Sequence, residues 1–519
     1  MAEARRTGEL RAPIGRRGFL GLLGGLGLGG LSACSFNTDP SIGTIKAGKA
    51  LNLPGPSLKR SGSIAFRWMD SGDLKAPYEQ AVFDAYSRKN SHVKIGYDGT
   101  SWDRIDEVVP LGIRNDSAPD VFAVPDDVPT SVAVSEGWLA PMDDVIPNFA
   151  QWKQSFPSTA FVPGVFVFDG KTYGFPLSSS KRMGNLLFYD PEYLRRADID
   201  PKADRLTWDG FRAAAKKLTK QGRGKYYGLM TNGPALGLIV TTLAEVAGLP
   251  RAGDIDYRTG EYTFTDPRIE AAIEVLLGIR DDGSLYPGYV SLGDANSRAL
   301  MPQRVAAMML GGTPNIGVWP ATNPDYKFAI SLPPIPDNRK PHLIAYQEVG
   351  ANSPFLYAKS KNKDVAGQLF SYLGSQAGQR AMVEISKGNL PSVMPDVNTA
   401  AHQTSLMDPN AKLAAEYADQ VLRLAPFPQI RNPATADVLL LQQPVVPTFA
   451  TVIQGIMTGQ VKNIPKAMKS LQTSYEKSLD DAIRAARKKG SKVSRDDWKF
   501  GNWDPAHNYT TADYEGLAR

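Results

Sequence analysis

A second cysteine is missing from these 519 residues, and so are a histidine cluster, an apolar run long enough to span a bilayer comfortably, and a strong excess of one charge. With Cys34 alone no intrachain disulfide can form, so stability must come from a packed core. His92, His342, His402 and His507 stand far apart without metal-ligand spacing, and no metal or cofactor is expected. Neither Gly-x-Ser-x-Gly, nor His-Glu-x-x-His, nor a P-loop occurs, which removes the common signposts of hydrolase and nucleotide chemistry. The formal charge of +6 overstates basicity. Arg5, Arg6, Arg11, Arg16 and Arg17 stand against only Glu3 and Glu9 at the amino terminus, and without them the charge is +3. No basic stripe interleaves with aromatics, so no nucleic-acid partner is expected.

What is present begins with an address. Arg16 and Arg17 precede Phe19-Leu20, an uncharged Gly/Leu run follows, and Leu31-Ser32-Ala33 leads into Cys34. Twin arginines before a short apolar segment resemble the export signal for folded proteins, and the cysteine after Leu-Ser-Ala matches a lipobox. The run is too short and too rich in glycine for a transmembrane helix. Residues 1–33 are therefore expected to be a twin-arginine lipoprotein signal, with the mature chain outside the cytoplasm and anchored through lipid on Cys34. Residues 34–60, rich in Ser, Gly, Pro and Lys, read as a tether.

Beyond the tether, strand and helix patterns alternate. Ser63–Trp68 and His92–Tyr97 read as strands, Ala76–Lys89 and Trp102–Arg114 as helices, and Ala118–Val124 as a third strand entering a Pro-Asp-Asp turn. That order implies right-handed crossovers and a parallel sheet, with ligands beyond the carboxyl ends of its strands. The style repeats with strands at Leu186–Tyr189, Tyr227–Met230 and Arg304–Gly312, a hairpin over Asp254–Phe264, and a long amphipathic helix at Pro465–Lys489. The fold class is α/β, in two lobes joined by more than one crossing segment.

Several short motifs occur in a telling order: Ser117-Ala118-Pro119-Asp120-Val121, Gly137-Trp138-Leu139-Ala140-Pro141-Met142-Asp143, Gly170-Lys171-Thr172-Tyr173-Gly174-Phe175-Pro176, Leu206-Thr207-Trp208-Asp209 and Ala306–Gly312. Together they resemble the extracellular solute-binding proteins of ABC importers, the sugar-binding, maltose-binding-protein-like family, over about Ser63 to Lys489. The resemblance implies a two-lobed, type II periplasmic-binding-protein-like fold with a hinge. It places the amino-terminal lobe at 61–180 and 326–380, the other lobe at 181–325 and 381–489, and leaves 490–519 as a tail. It further implies a monomer that delivers a carbohydrate, an oligosaccharide by preference, to permease subunits. Pro314 stands where maltose-binding protein has a stacking tryptophan, and the segment from Pro176 to Tyr189 is longer.

Sugars offer flat C–H faces to aromatic rings and hydroxyls to planar polar groups. On that basis, and on the family's cleft positions, the expected ligand residues are Trp68, Asp70, Asp126, Asp127, Lys181, Arg182, Asn232, Gly312, Thr313, Trp319, Tyr346 and Glu348. Seven of them have a plainer alternative: core packing for Trp68, interlobe packing for Trp319, helix or turn capping for Asp70, Asp126 and Asp127, solvent exposure for Arg182, a tight turn for Gly312. Trp102 and Trp208, each beside an aspartate, are expected to pack at helix starts. The tail Trp498–Pro505 is expected to dock on a lobe. Lys181 and Arg182 would suit an anionic solute of the same fold. The adjacent Asp143 and Asp144 leave a secreted glycosidase as the remaining rival, because carboxyl separation cannot be read from sequence.

Overall fold

The computed structural model describes residues 51–517, apart from Asn52, Pro56, Asp73, Asp126, Asp127, Ser158, Thr159 and Ala351. The expectations for Arg16, Arg17, Cys34, Asp126 and Asp127 therefore lie outside the described residues. Helix Ala76–Lys89 starts with Pro77 in its first turn, where the missing N–H costs nothing, and buries Tyr78, Val82, Phe83 and Tyr86 at the spacing that marks one helical face. Strand Ile64–Asp70 lies between Val93–Gly99 and Val121–Phe122, parallel to both, and Phe355–Leu356 closes the far edge antiparallel. Only two residues of the expected third strand form a ladder.

A second four-stranded sheet runs in the order Ala329–Ser331, Leu186–Tyr189, Ala306–Gly311, Tyr227–Met230. Ala306–Gly311 is parallel to Tyr227–Met230 but antiparallel to Leu186–Tyr189. All six residues of Ala306–Gly311 are buried, as a central strand covered on both faces requires. Helix Trp208–Gly222 covers this sheet, its first turn capped by the Thr207 hydroxyl, which accepts from the Gly210 N–H at 3.1 Å. Trp208 packs into the core there, as expected for a helix start. The helix Ile464–Lys488 is capped by Asn463 and buries Met468, Leu471, Leu479 and Ile483.

Each sheet carries its own apolar core, which is what makes two lobes. The lobe limits differ from those expected in two places. Ala329–Ser331 hydrogen-bonds to Leu186–Tyr189, so it belongs to the second sheet and not to the first lobe. Met382, Val383, Leu390, Val393, Met394, Val397 and Ala401 fill the first core and not the second. The physical reason is shared: a three-residue strand and short helices carry no lobe-specific pattern, and the apolar surface they meet decides. The chain consequently crosses between lobes three times, near 178–185, 347–353 and 402–409.

The tail docks on the second lobe. Trp498, Phe500, Trp503 and Tyr509 are buried in its core, and the Phe500 N–H donates to the Tyr257 carbonyl at 2.6 Å.

Gly228 marks the tightest helix–sheet approach in the second lobe: a Cβ there would sit 2.1 Å from the Ala215 carbonyl oxygen. Backbone cannot yield as a side chain can, so Gly228→Ala is expected to cost about 1–3 kcal/mol, read as a lowered denaturation midpoint.

Candidate functional site

Glu348 joins the first two crossings. Its carboxylate accepts from the Ser179 hydroxyl, from the Ser180 N–H and hydroxyl at 2.8 Å each, and from the Gly350 N–H at 3.2 Å. The Ser180 hydroxyl reaches the Gln347 carbonyl at 3.0 Å, and the Val349 N–H returns to Ser180 Oγ at 3.1 Å. A half-buried carboxylate with this many donors is held by charge-assisted bonds, so the two strands of chain behave as one joint. Beside it, strand Ile344–Tyr346 pairs in parallel with Leu422–Leu424, which emerges from the third crossing.

At the carboxyl end of strand Ile64–Asp70 the structure corrects two expectations. Trp68 is 1% exposed and packs against Phe83 and Phe370, with ring centroids 5.0 and 5.9 Å apart. It has no face free for a ligand. Asp70 is buried as well: it accepts from Trp68 Nε1 at 2.7 Å, the Tyr97 hydroxyl at 2.9 Å and the Gly72 N–H at 2.9 Å. The Lys75 ammonium, itself buried, lies 3.7 Å away and donates to Ser71 Oγ at 2.6 Å. Glu79 completes this cluster. Burial, and next the Asp70 carboxylate, push the Glu79 carboxyl well above its ordinary range, with Lys75 pulling the other way. The group is structural: it turns the chain from strand into helix without leaving a buried charge unpaired.

Trp319 is likewise a core residue, 1% exposed, edge-on to Phe188 at 5.1 Å and donating through Nε1 to the Arg298 carbonyl at 2.8 Å. Asn232 is closed in completely; its Oδ1 caps the Ala235 N–H at 2.9 Å and its Nδ2 donates to Ser297 Oγ at 2.8 Å. Gly312 serves a turn, its carbonyl accepting from the Asn315 N–H at 3.3 Å, and the nearest backbone to a Cβ there is Gly184 of the first crossing. Asp143 accepts from the Thr172 N–H at 2.8 Å, which pins a hairpin and leaves that carboxylate with a structural task. Among the described residues no group of three or more His, Cys, Asp or Glu side chains is placed to hold a metal.

Two cavities meet at Glu348 and Leu424. The smaller, about 360 Å³, gathers Lys181, Arg182, Thr313, Tyr346 and Glu348, five of the twelve expected ligand residues, against the helices Pro395–His402 and Pro409–Val421. Lys181 forms an ion pair across it with Asp419. Burial, and next the Glu348 carboxylate, raise the Tyr346 phenol above its ordinary range, so it stays protonated. The wall from Ala411 to Ala418 is mostly alanine, and among the described residues Tyr346 and His402 are the rings on the lining.

The larger cavity, about 1060 Å³, has one wall in the first lobe, Phe161–Pro163. Opposite stand Leu424–Pro433 of the second lobe and Tyr509–Leu517 of the tail. Phe161, Phe427 and Tyr514 supply ring surface; Gln429, Arg431 and Asn432 supply planar polar groups. Gln429 is buried, and among the described residues its Oε1 accepts no hydrogen bond. The lobes touch beside this cavity, where Gly164, at φ 76°, lies so close to Ala436 and Gln429 that a Cβ would come within 3.0 and 3.2 Å of them. Of the expected residues that are described, Glu348 alone reaches this space. The rest of its lining gave no sign in the sequence beyond a proline-rich run at 425–433 and the aromatic tail.

Comparison with known proteins agrees with this architecture. Residues 70–380 match the family model described as bacterial extracellular solute-binding protein, and the chain belongs to that family. A binding protein of Brucella abortus (strain 2308) is 24% identical over 383 residues, covering 72% of this chain and 86% of its own length. Among solved structures, an ABC transporter solute-binding protein of Thermotoga lettingae bound with α-D-tagatose superposes with a TM-score of 0.60 at 20% identity, over 81% of this chain and all of that one. The GacH receptor of Streptomyces glaucescens, solved unliganded and with acarbose, gives 0.58 at 17% identity with the same coverage. The fold is thus the two-lobed, type II solute-binding fold.

Two outcomes follow from the burial. Trp68→Ala removes a fully packed indole and is expected to cost about 3–5 kcal/mol in chemical denaturation. Glu79 favours the folded state most below the ordinary glutamate pKa of about 4.3, and that contribution is lost as pH rises through its raised value. Glu79→Gln, which mimics the neutral acid, should therefore lose less Tm than the parent between pH 5 and pH 8, as differential scanning calorimetry at the two pH values would show.

Proposed function

We propose that this solute-binding protein captures a carbohydrate, an oligosaccharide by size, in the larger cavity by closing its lobes, and presents the closed form to the permease subunits of an ABC importer. The observation that carries the reading is the pairing, in one interlobe space, of Phe161, Phe427 and Tyr514 rings with the planar groups of Gln429, Arg431 and Asn432. Rings take the C–H faces of a sugar; amide and guanidinium groups take its hydroxyls in pairs. A volume of about 1060 Å³ lies at the upper end of small-molecule sites, which suits several sugar units better than one. Both neighbours named above were solved with sugars or sugar-like ligands, tagatose and acarbose.

Contacts from Phe161–Pro163 on one side and Leu424–Pro433 on the other are simultaneous only when the lobes are together, so a ligand touching both shifts the open–closed balance. The chain acts in this reading as a monomeric receptor without cofactor or catalysis, held outside the cytoplasm by lipid on Cys34. An anionic ligand gains less support, because Asp419 already neutralises Lys181.

Isothermal titration of the soluble chain lacking residues 1–34 with maltotriose, xylotriose, cellotriose and glycerophosphocholine tests this, alongside small-angle scattering and chromatography of the sugar. Saturable heat with one trisaccharide, a smaller radius of gyration and unchanged sugar are expected. Binding of glycerophosphocholine alone, or shortened sugar products, would overturn the carbohydrate-receptor reading.

A further inference from the structure

The family match ends at residue 380, yet the tail supplies a wall of the larger cavity more than a hundred residues later. This segment is firmly set. Trp498, Phe500, Trp503 and Tyr509 anchor it in the second core. The Tyr509 N–H donates to the Leu424 carbonyl at 2.7 Å, and the Leu424 N–H donates back to Asn508 Oδ1 at 2.8 Å. The Arg431 guanidinium lies 5.5 Å over the Phe500 ring and donates to the Asp496 carbonyl at 2.7 Å. Tail and cavity wall are thereby one body.

Tyr514 sits at the point where they meet. Its hydroxyl oxygen accepts the Phe427 N–H at 2.8 Å, and its ring stands edge-on to Tyr509 at 4.8 Å, which fixes where the hydroxyl lies. Among the described residues the Tyr514 O–H proton has no acceptor, and burial keeps the phenol protonated. The Tyr514 hydroxyl therefore keeps a proton to donate from a residue on the cavity lining, and a sugar hydroxyl oxygen is an acceptor that can take it. Thr510, Thr511 and Glu515 extend the polar lining of the tail.

We infer that the carboxy-terminal segment Tyr509–Leu517 is a ligand-reading wall, in which the Tyr514 hydroxyl donates to a saccharide hydroxyl and so sets specificity. The inference rests on the carbohydrate reading above and deepens it. The tail then does two things: it holds Leu424–Phe427 in place and it touches the ligand.

The test uses the soluble chain lacking residues 1–34, which contains no cysteine. Tyr514→Phe keeps the ring and removes the donor; affinity for the trisaccharide that binds the parent should fall about three- to tenfold. Because the same hydroxyl accepts from Phe427, a second readout separates contact from support. A thiol introduced by Glu515→Cys, on the cavity lining, should react with a maleimide at least tenfold more slowly in saturating trisaccharide. One introduced by Ala512→Cys, exposed but not on that lining, should react at an unchanged rate. Trisaccharide binding with full affinity in Tyr514→Phe and no protection at position 515 would overturn the inference and leave the carbohydrate reading standing. A parent chain that binds none of the trisaccharides would overturn both.

Discussion

The Glu348 carboxylate is the interaction on which the arrangement of this protein turns. Two crossing segments, 168 residues apart in the chain, are drawn together because one acceptor collects hydroxyl and amide donors from both. Bonds to a charged acceptor contribute roughly 1.5–3 kcal/mol each in such settings, and losing the carboxylate would strand the donors of Ser179, Ser180 and Gly350 at once. The same side chain borders both cavities. The geometry therefore puts the joint between lobes in direct contact with the spaces whose shape depends on how the lobes sit.

A joint is useful only between bodies that do not themselves deform. In the first lobe the buried Asp70, Lys75, Glu79 and Trp68, with the half-buried Tyr97, lock the strand-to-helix turn beside the Trp68–Phe83 contact. In the second, the tail adds Trp498, Phe500 and Trp503 to a core that already contains the sheet and the long helix Ile464–Lys488. Under the proposed function, close-packed interiors of this kind move as units and displacement falls on the crossings that join them. On the proposed reading, carbohydrate binding is then a matter of adding contacts across the gap, with the solute left chemically unchanged.

Legibility from sequence followed the range of the forces involved. The strand Ile64–Asp70 and the helix Ala76–Lys89 were readable because periodicity acts within a few residues. Trp68 and Trp319 misled for the opposite reason: an indole after a strand has the same local signature whether its ring faces a cleft or a core, and only Phe83, Phe370 and Phe188 decide which. Lys181, Arg182, Thr313, Tyr346 and Glu348 line one space, the smaller cavity, whereas the larger owes its lining to loops and to elements as short as Leu422–Leu424, Pro428–Arg431 and Thr511–Glu515, too brief to show a period in sequence.

By itself, the sequence determined the family, the α/β class, the lack of a second cysteine for an intrachain disulfide, and the longer strands of both sheets, since those depend on composition and on short-range pattern. Tertiary structure alone decided that Ala329–Ser331 completes the second sheet, that residues 382–401 fill the first core, and that a tail ending past residue 510 borders the interlobe space. Each of these is a contact between residues far apart in the chain. Which apolar surface a short segment meets depends on where every other segment has already packed, and no local window contains that.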